Sequence, residues 1–370
     1  MLKCGFIGGS YKSAIGTTHK IASQMDGRWE LVSGCFSRNQ ITNLETAKLW
    51  NVPRIYNNWQ ELLHEELSLI DAVIILTPTP AHTPVILKAL ELGHSVICEK
   101  ALCSSVEDAV KIYSSSKNEK SFLAMIYNYT GYPMVRELRN MIHTGNLGRI
   151  FQVNIEMPQE GYRRLDKTGN PYNIQTWRQQ DWEIPTISLD LGVHIHNLVS
   201  FLTKESPLRV IGRQTSFGFQ RGLIDNVSCI AEYSNDLYCN IWYSKVSIGK
   251  TNGLKIQVLG ESGSAEWFQM DPESLIFTDQ FGKQSNIQRS SNNVKIASDL
   301  RYNRFKPGHP AGFIEAFANY YYDLADALEK YKKTNIMNSQ WIFDNEHALE
   351  GLKMLSAINL SSETSKWVNI

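Results

Sequence analysis

KCGFIGGSYKSAIGTTH, residues 3–19, sets a short apolar run directly before a glycine turn. Residues 3–7 are long enough for one buried strand. Gly8 and Gly9 follow at once, residues 10–14 lengthen the turn, and Gly16 opens a helical pattern carried by Ile21, Ala22 and Met25. Strand, glycine turn and helix in that order make a cradle for a dinucleotide pyrophosphate. Bare backbone lets phosphates approach, and the N–H groups and dipole at the helix start favour an anion. The spacing departs from a strict G-x-G-x-x-G, and glycine turns also close ordinary βα units, so the rest of the chain must decide between the two.

Working outward, residues 29–36 (WELVSGCF) read as a second strand, followed by helical spacing over 39–50 and 59–66. In dinucleotide folds an acidic residue at the tip of this strand selects NAD. Here the tip is Ser37 and Arg38, a hydroxyl and a guanidinium that suit a 2′-phosphate, so NAD and NADP both stand. The alternative reading is that Ser37 caps the next helix and Arg38 is solvated. Residues 69–76 (LIDAVIIL) are a near-continuous apolar run, the mark of a strand covered on both faces. It ends in Thr77, Pro78 and, after the prolines, His82, in a loop at the sheet edge where ligands of open α/β sheets bind. A helix over 85–92, a strand over 94–98 ending in Glu99 and Lys100, a helix over 106–116 and a strand over 122–127 follow. Strands alternating with helices predict a doubly wound parallel sheet over 1–128.

From residue 150 the texture changes to short alternating runs, at 226–233, 238–243 and 254–259, which predict an open, largely antiparallel sheet. The expected organisation is thus α/β throughout: a dinucleotide-binding Rossmann domain over 1–128 and a second α/β domain over 129–370. Amphipathic patterns at 313–331 and 344–358 predict helices that pack back on the first domain.

With 370 residues, 42% apolar, and Lys+Arg equal to Asp+Glu at 37 each, the net charge is zero. That balance argues against nucleic acid and against an anionic membrane surface as partners. The six cysteines are scattered without a C-x-x-C pair, which argues against a metal site and a disulfide framework and fits a reducing, cytoplasmic setting.

At Glu99-Lys100 the pattern resembles the glucose–fructose oxidoreductase/inositol dehydrogenase (Gfo/Idh/MocA) family. Its glycine turn is matched by Gly8, Gly9, Gly16 and His19, and its Thr-Pro-x-x-x-His loop by Thr77, Pro78 and His82. Its Glu-Lys-Pro strand end is matched by Glu99 and Lys100, and its Asp-x-x-x-His motif by Asp190, Gly192 and His194. Ala101 replaces the usual proline, and Asn197 stands where many members carry Asp or His. The resemblance implies an oxidoreductase passing hydride between NAD or NADP and a sugar, sugar derivative or cyclitol. It also implies a homodimer or homotetramer built through the C-terminal sheet. Cofactor contacts fall on Gly8, Gly9, Ser10, Gly16, Ser37, Arg38, Thr77, Pro78, His82, Glu99 and Lys100.

In SLDLGVHIHN, residues 188–197, helical spacing puts Asp190 and His194 one turn apart with Asn197 close to the same face and His196 pointing away. Asp190 can orient the imidazole, whose other nitrogen is then available to a substrate hydroxyl. Lys100 would meet that hydroxyl from the cofactor side and favour the developing alkoxide; either Lys100 or His194 is the primary base. Asn128, Tyr129, Trp177 and Arg178 join Lys100, Asp190, His194 and Asn197 as candidate substrate contacts. The arginines of that loop-rich stretch suit a phosphate or carboxylate. Two rival readings are a non-catalytic nucleotide sensor and a lyase or glycosidase that retains its NAD.

Overall fold

The computed structural model describes residues 1–118, 121–306 and 308–370. The chain runs β1 (Leu2–Gly8), α1 (Gly16–Gln24), β2 (Trp29–Cys35), α2 (Gln40–Trp50), β3 (Arg54–Ile55), α3 (Trp59–Glu65), β4 (Ala72–Leu76), α4 (His82–Glu91), β5 (Val96–Glu99), α5 (Val106–Asn118) and β6 (Leu123–Ile126). Next come α6 (Pro133–His143), β7 (Ile150–Pro158), α7 (Val193–Thr203), β8 (Pro207–Thr215), β9 (Asn226–Tyr233), β10 (Leu237–Ser244), β11 (Lys255–Gly260), β12 (Gly263–Phe268), β13 (Asp271–Asp279) and β14 (Gln284–Gln288). The chain closes with α8 (Phe313–Thr334), β15 (Phe343–Asp344), α9 (Asn345–Thr364) and β16 (Val368–Asn369).

Two compact units form: Met1–Gly131 with Phe313–Leu349, and Tyr132–Gly312 with Glu350–Ile370. The first holds a seven-stranded sheet in the order β15-β6-β5-β4-β1-β2-β3. Its strands are parallel from β3 to β6, as the alternation predicts, and β15 adds an antiparallel edge that the helical pattern at 344–358 gave no sign of. All five residues of β4 are buried, because helices cover both faces of a parallel sheet. Side chains end the flanking helices: Asn39 accepts from the Thr42 N–H at the start of α2, and Asn58 from Glu61 at the start of α3. Helix α8 belongs to this unit. Its Tyr321 hydroxyl lies 2.8 Å from His19 Nδ1 and its Tyr321 carbonyl accepts from Trp29 Nε1 at 2.8 Å, which ties it to α1 and β2.

The second unit is built on a nine-stranded sheet ordered β14-β13-β12-β11-β7-β10-β9-β8-β16. Among the described residues only β7 and β10 pair in parallel in this sheet, so the open, largely antiparallel expectation holds. Along β9 and β10 the buried residues alternate, with Val227, Cys229, Ala231 and Tyr233 facing Leu237, Cys239, Ile241 and Tyr243 on the covered side. The other side shows Ser228, Ile230, Tyr238 and Asn240. All six cysteines are buried and unbridged.

Candidate active site

Chain order reverses beside β1, where β2 lies on one side and β4 on the other. That switch opens a crevice at the carboxyl ends of the strands. Gly8 and Gly9 adopt φ of 82° and 71°, left-handed values that bring the turn after β1 sharply round. A Cβ on Gly16 would stand 2.0 Å from the Gly9 carbonyl oxygen, and one on Gly8 2.7 Å from the Thr77 nitrogen. Only bare backbone fits there, and Ser10 lies buried in the same turn. Ser13 Oγ accepts from the Gly16 N–H at 2.8 Å, while helix geometry points the N–H groups of the next two residues out of the first turn. These features fit a dinucleotide pyrophosphate.

The other cofactor candidates fall along the same edge. Ser37 and exposed Arg38 follow β2. Asn39, rather than Ser37, caps α2, and Ser37 Oγ accepts from the Asn39 N–H at 3.1 Å. Thr77 and Pro78 follow β4 directly. His82 is fully buried and does not cap α4; its ring bridges two backbone carbonyls, Thr77 at 2.7 Å and Ala101 at 2.8 Å. Burial pulls its pKa below the usual value, so the ring stays neutral and donates to one of the two carbonyls at a time. The loops that follow β4 and β5 are thereby joined. Glu99, the last residue of β5, lies 3.2 Å from His19 Nε2, and half-buried Lys100 comes next. The peptide bond from Lys100 to Ala101 is cis. Asn128 and Tyr129 are buried in a single 3₁₀ turn just past β6, Tyr129 edge-on to Phe313.

In the second unit the segment 188–197 is not one regular α-helix. Residues Ser188–Gly192 form a π-helical turn that runs into α7, and such turns recur at functional sites. Ser188 Oγ lies 2.8 Å from the Tyr243 hydroxyl, and a Cβ on Gly192 would meet Leu355 at 2.6 Å, so the turn is packed tightly against the sheet and α9. His194 and Asn197 are both buried on α7. His196, expected to point away, donates from Nε2 to Glu350 Oε1 on α9 at 2.9 Å.

Asp190 carries two cations. Arg178 Nη2 donates to Oδ1 at 3.0 Å, and Lys245 Nζ donates to Oδ2. Arg178 therefore supports Asp190, a role the local pattern did not suggest; its guanidinium also lies 4.5 Å over the ring of Trp177 and reaches Gln175. Lys245, just past β10, was not anticipated, since 55 residues separate it from Asp190 and no local spacing connects them. Its place is set by backbone bonds, Tyr162 N–H to the Lys245 carbonyl and Lys245 N–H to the Asp225 carbonyl, each 2.8 Å.

A Rossmann sheet with a phosphate cradle, joined to a second α/β unit with a buried Asp-cation cluster, defines a two-domain nucleotide-binding oxidoreductase. The chain belongs to the Gfo/Idh/MocA family: residues 2–127 match its oxidoreductase, NAD-binding Rossmann domain and residues 135–266 its C-terminal domain. It is an NAD(P)-dependent dehydrogenase by that membership. Among its relatives, the uncharacterised oxidoreductase YfiI of Bacillus subtilis is 25% identical over 384 aligned residues, covering 99% of this chain and 96% of that protein. The glucose-6-phosphate 3-dehydrogenase of Bacillus subtilis is 24% identical over 281 residues, 74% of this chain and 76% of that one. An inositol dehydrogenase homolog from Azotobacter vinelandii, crystallised with NADH and myo-inositol, superposes with a TM-score of 0.89 at 26% identity, covering 100% and 97% of the two chains. Among the described residues no helix is long and apolar enough to cross a membrane.

Proposed function

We propose that the protein transfers a hydride between the nicotinamide and a hydroxyl-bearing carbon of a sugar, sugar derivative or cyclitol, with Lys100, Asp190 and His194 handling the proton. The observation that carries the reading is the carboxyl edge of the first sheet, where the glycine cradle follows β1 and Lys100 follows β5, with β4 between the two strands. Gly8, Gly9, Ser10 and Gly16 would hold the pyrophosphate, Ser37 and Arg38 would serve the adenosine ribose, and Thr77, Pro78 and Glu99 would contribute to the rest of the dinucleotide site. When bound, that ring supplies the hydride acceptor or donor.

The residues of the chain do the rest. Lys100 brings a cation to the reacting hydroxyl and favours the alkoxide. His194 supplies an imidazole, a group suited to taking the hydroxyl proton as a general base. Asp190, anchored by Arg178 and Lys245, is a carboxylate held in a fixed position four residues before His194. Asn197, Asn128 and Tyr129 offer neutral hydrogen-bonding groups to the other hydroxyls. The likeness to an inositol dehydrogenase homolog and a glucose-6-phosphate 3-dehydrogenase supports a polyhydroxylated substrate. The open face of the nine-stranded sheet, with a trough of about 710 Å³ lined by Asn154, Trp242, Lys255 and Glu266, is the face we assign to contact between copies.

The test is a screen of sugars and cyclitols for formation of reduced cofactor, repeated with Lys100→Met and His194→Ala. Both variants should lose turnover by about two orders of magnitude or more while keeping nucleotide affinity. Wild-type turnover in both would remove the assigned roles, and nucleotide binding without turnover on any polyol would favour a sensor.

A further inference from the structure

The second unit holds a group of hydrogen-bond donors that the proton-transfer scheme does not use. We propose that Arg178, Lys245 and Tyr162 form a subsite for an acidic substituent, a carboxylate or phosphate, on the polyhydroxylated substrate; this rests on the reading above that Asp190 lies in the substrate site.

Tyr162 is the pointer. It is 7% exposed, its hydroxyl is buried, and no hydrogen-bond partner reaches that oxygen. A buried hydroxyl left in that state costs about 1–3 kcal/mol, a cost a ligand atom would remove. Burial, followed by the Asp190 charge, pushes the phenol pKa up, so the group is a donor at neutral pH. Lys245 Nζ sits 5.1 Å above the centre of its ring. Lys245 Nζ also donates to Asp190 Oδ2. Arg178 contributes a buried Nε–H that has no hydrogen-bond partner, while Nη1 and Nη2 go to Gln175 and Asp190. Its stacking on Trp177 and its bond to Asp190 fix the plane of the guanidinium, which suits a planar or trigonal array of acceptor oxygens.

The acidic groups that bear on Tyr162 are already engaged. Asp181 accepts from the Thr186 and Ile224 N–H groups, each at 2.8 Å, and Asp225 from the Phe217 and Gly218 N–H groups. Glu160, two residues before Tyr162, accepts from Arg164 and from the Gly249 N–H. Arg178, Lys245 and Asp190 together sum to one positive charge. A neutral hydroxyl entering this corner would offer one acceptor and bring a proton of its own that needs an acceptor. A carboxylate or phosphate offers acceptors only, and its charge balances the trio.

The experiment measures kcat/KM with NAD for a matched series: a neutral hexose and cyclitol, the corresponding aldonate and the corresponding hexose phosphate. In parallel, calorimetry follows binding of D-gluconate and of inorganic phosphate to the wild-type protein and to Tyr162→Phe, a change that removes one oxygen and keeps the ring. The acidic substrate should exceed its neutral counterpart by about tenfold or more, the size of one hydrogen bond to a charged group. Tyr162→Phe should raise its KM and weaken anion binding by a similar factor, with nucleotide affinity unchanged. Which anion, aldonate or phosphate, shows the effect identifies the substituent. Preference for the neutral substrates, or anion binding unaltered in Tyr162→Phe, overturns the subsite and leaves the dehydrogenase standing. Anion binding that Tyr162→Phe weakens, with no polyol oxidised, keeps the subsite and rejects the dehydrogenase reading.

Discussion

Substituting Gly16 by alanine tests the phosphate cradle directly. The added methyl would lie 2.0 Å from the Gly9 oxygen, 2.5 Å from the Gly9 carbon and 2.5 Å from the Ser10 oxygen. All three are backbone atoms, so no side chain can swing aside; the turn or the start of α1 must move by more than about 1 Å to reach normal contact near 3.5–4 Å. Overpacking of this kind costs about 1–3 kcal/mol of stability. The same shift moves the N–H groups that face the pyrophosphate, and a displacement of about 1 Å can cost on the order of 100-fold in a geometry-dependent function. The expected result is a loss of NADH affinity approaching 100-fold, or about 2.7 kcal/mol, read by titrating the fluorescence of the bound dinucleotide, with a fall in unfolding free energy of about 1–3 kcal/mol. Gly161→Ala is the control. Nothing lies within 4 Å of its added methyl and its φ is ordinary, so stability should stay within about 0.5 kcal/mol. An NADH affinity for Gly16→Ala within twofold of wild type would refute the claim that this close approach shapes the dinucleotide site.

Glu137 Oε2 accepts from three successive N–H groups, Lys295 at 3.1 Å, Ile296 at 2.6 Å and Ala297 at 3.0 Å. Glu137→Ala should lower the unfolding free energy by about 2–4 kcal/mol in urea titrations and Glu137→Gln by less, since an acceptor remains; a loss under 1 kcal/mol in Glu137→Ala would show that water replaces the carboxylate. Acid should destabilise the fold early. Burial lowers the pKa values of His82, His94 and His143, so each favours the folded state when neutral, and that contribution is present above the unfolded value near ~6.5 and lost as pH falls below it. The midpoint temperature should therefore drop between about pH 7 and pH 5, and His94→Gln should flatten the drop; a midpoint that rises on acidification contradicts the sign. Arg38→Ala should weaken NADP by about tenfold and leave NAD unchanged if the guanidinium meets a 2′-phosphate. Equal affinities for NADP in the two proteins would take Arg38 out of the cofactor site.

Part of the fold and the site candidates was legible in one dimension because it depends on neighbours in sequence. Gly8, Gly9 and Gly16 belong to one turn, Glu99 and Lys100 to one strand end, and Asp190 and His194 lie four residues apart, so local spacing, together with the family resemblance, nominates the cradle and the catalytic candidates. The apolar run at β4 likewise announces a strand buried on both faces. What the tertiary structure decided are partners far apart along the chain. The cations on Asp190 come from Arg178 and from Lys245, 12 and 55 residues away, the carboxylate of Glu137 closes on backbone about 160 residues later, and His19 meets Tyr321 across 302 residues. His82 bridges the carbonyls of two loops, because β4 and β5 are neighbours in the sheet. A spacing rule sees only the geometry of a single element. A buried charge or donor takes whatever partner the packing of several elements delivers, and that partner is known only once strand order and loop registers are set.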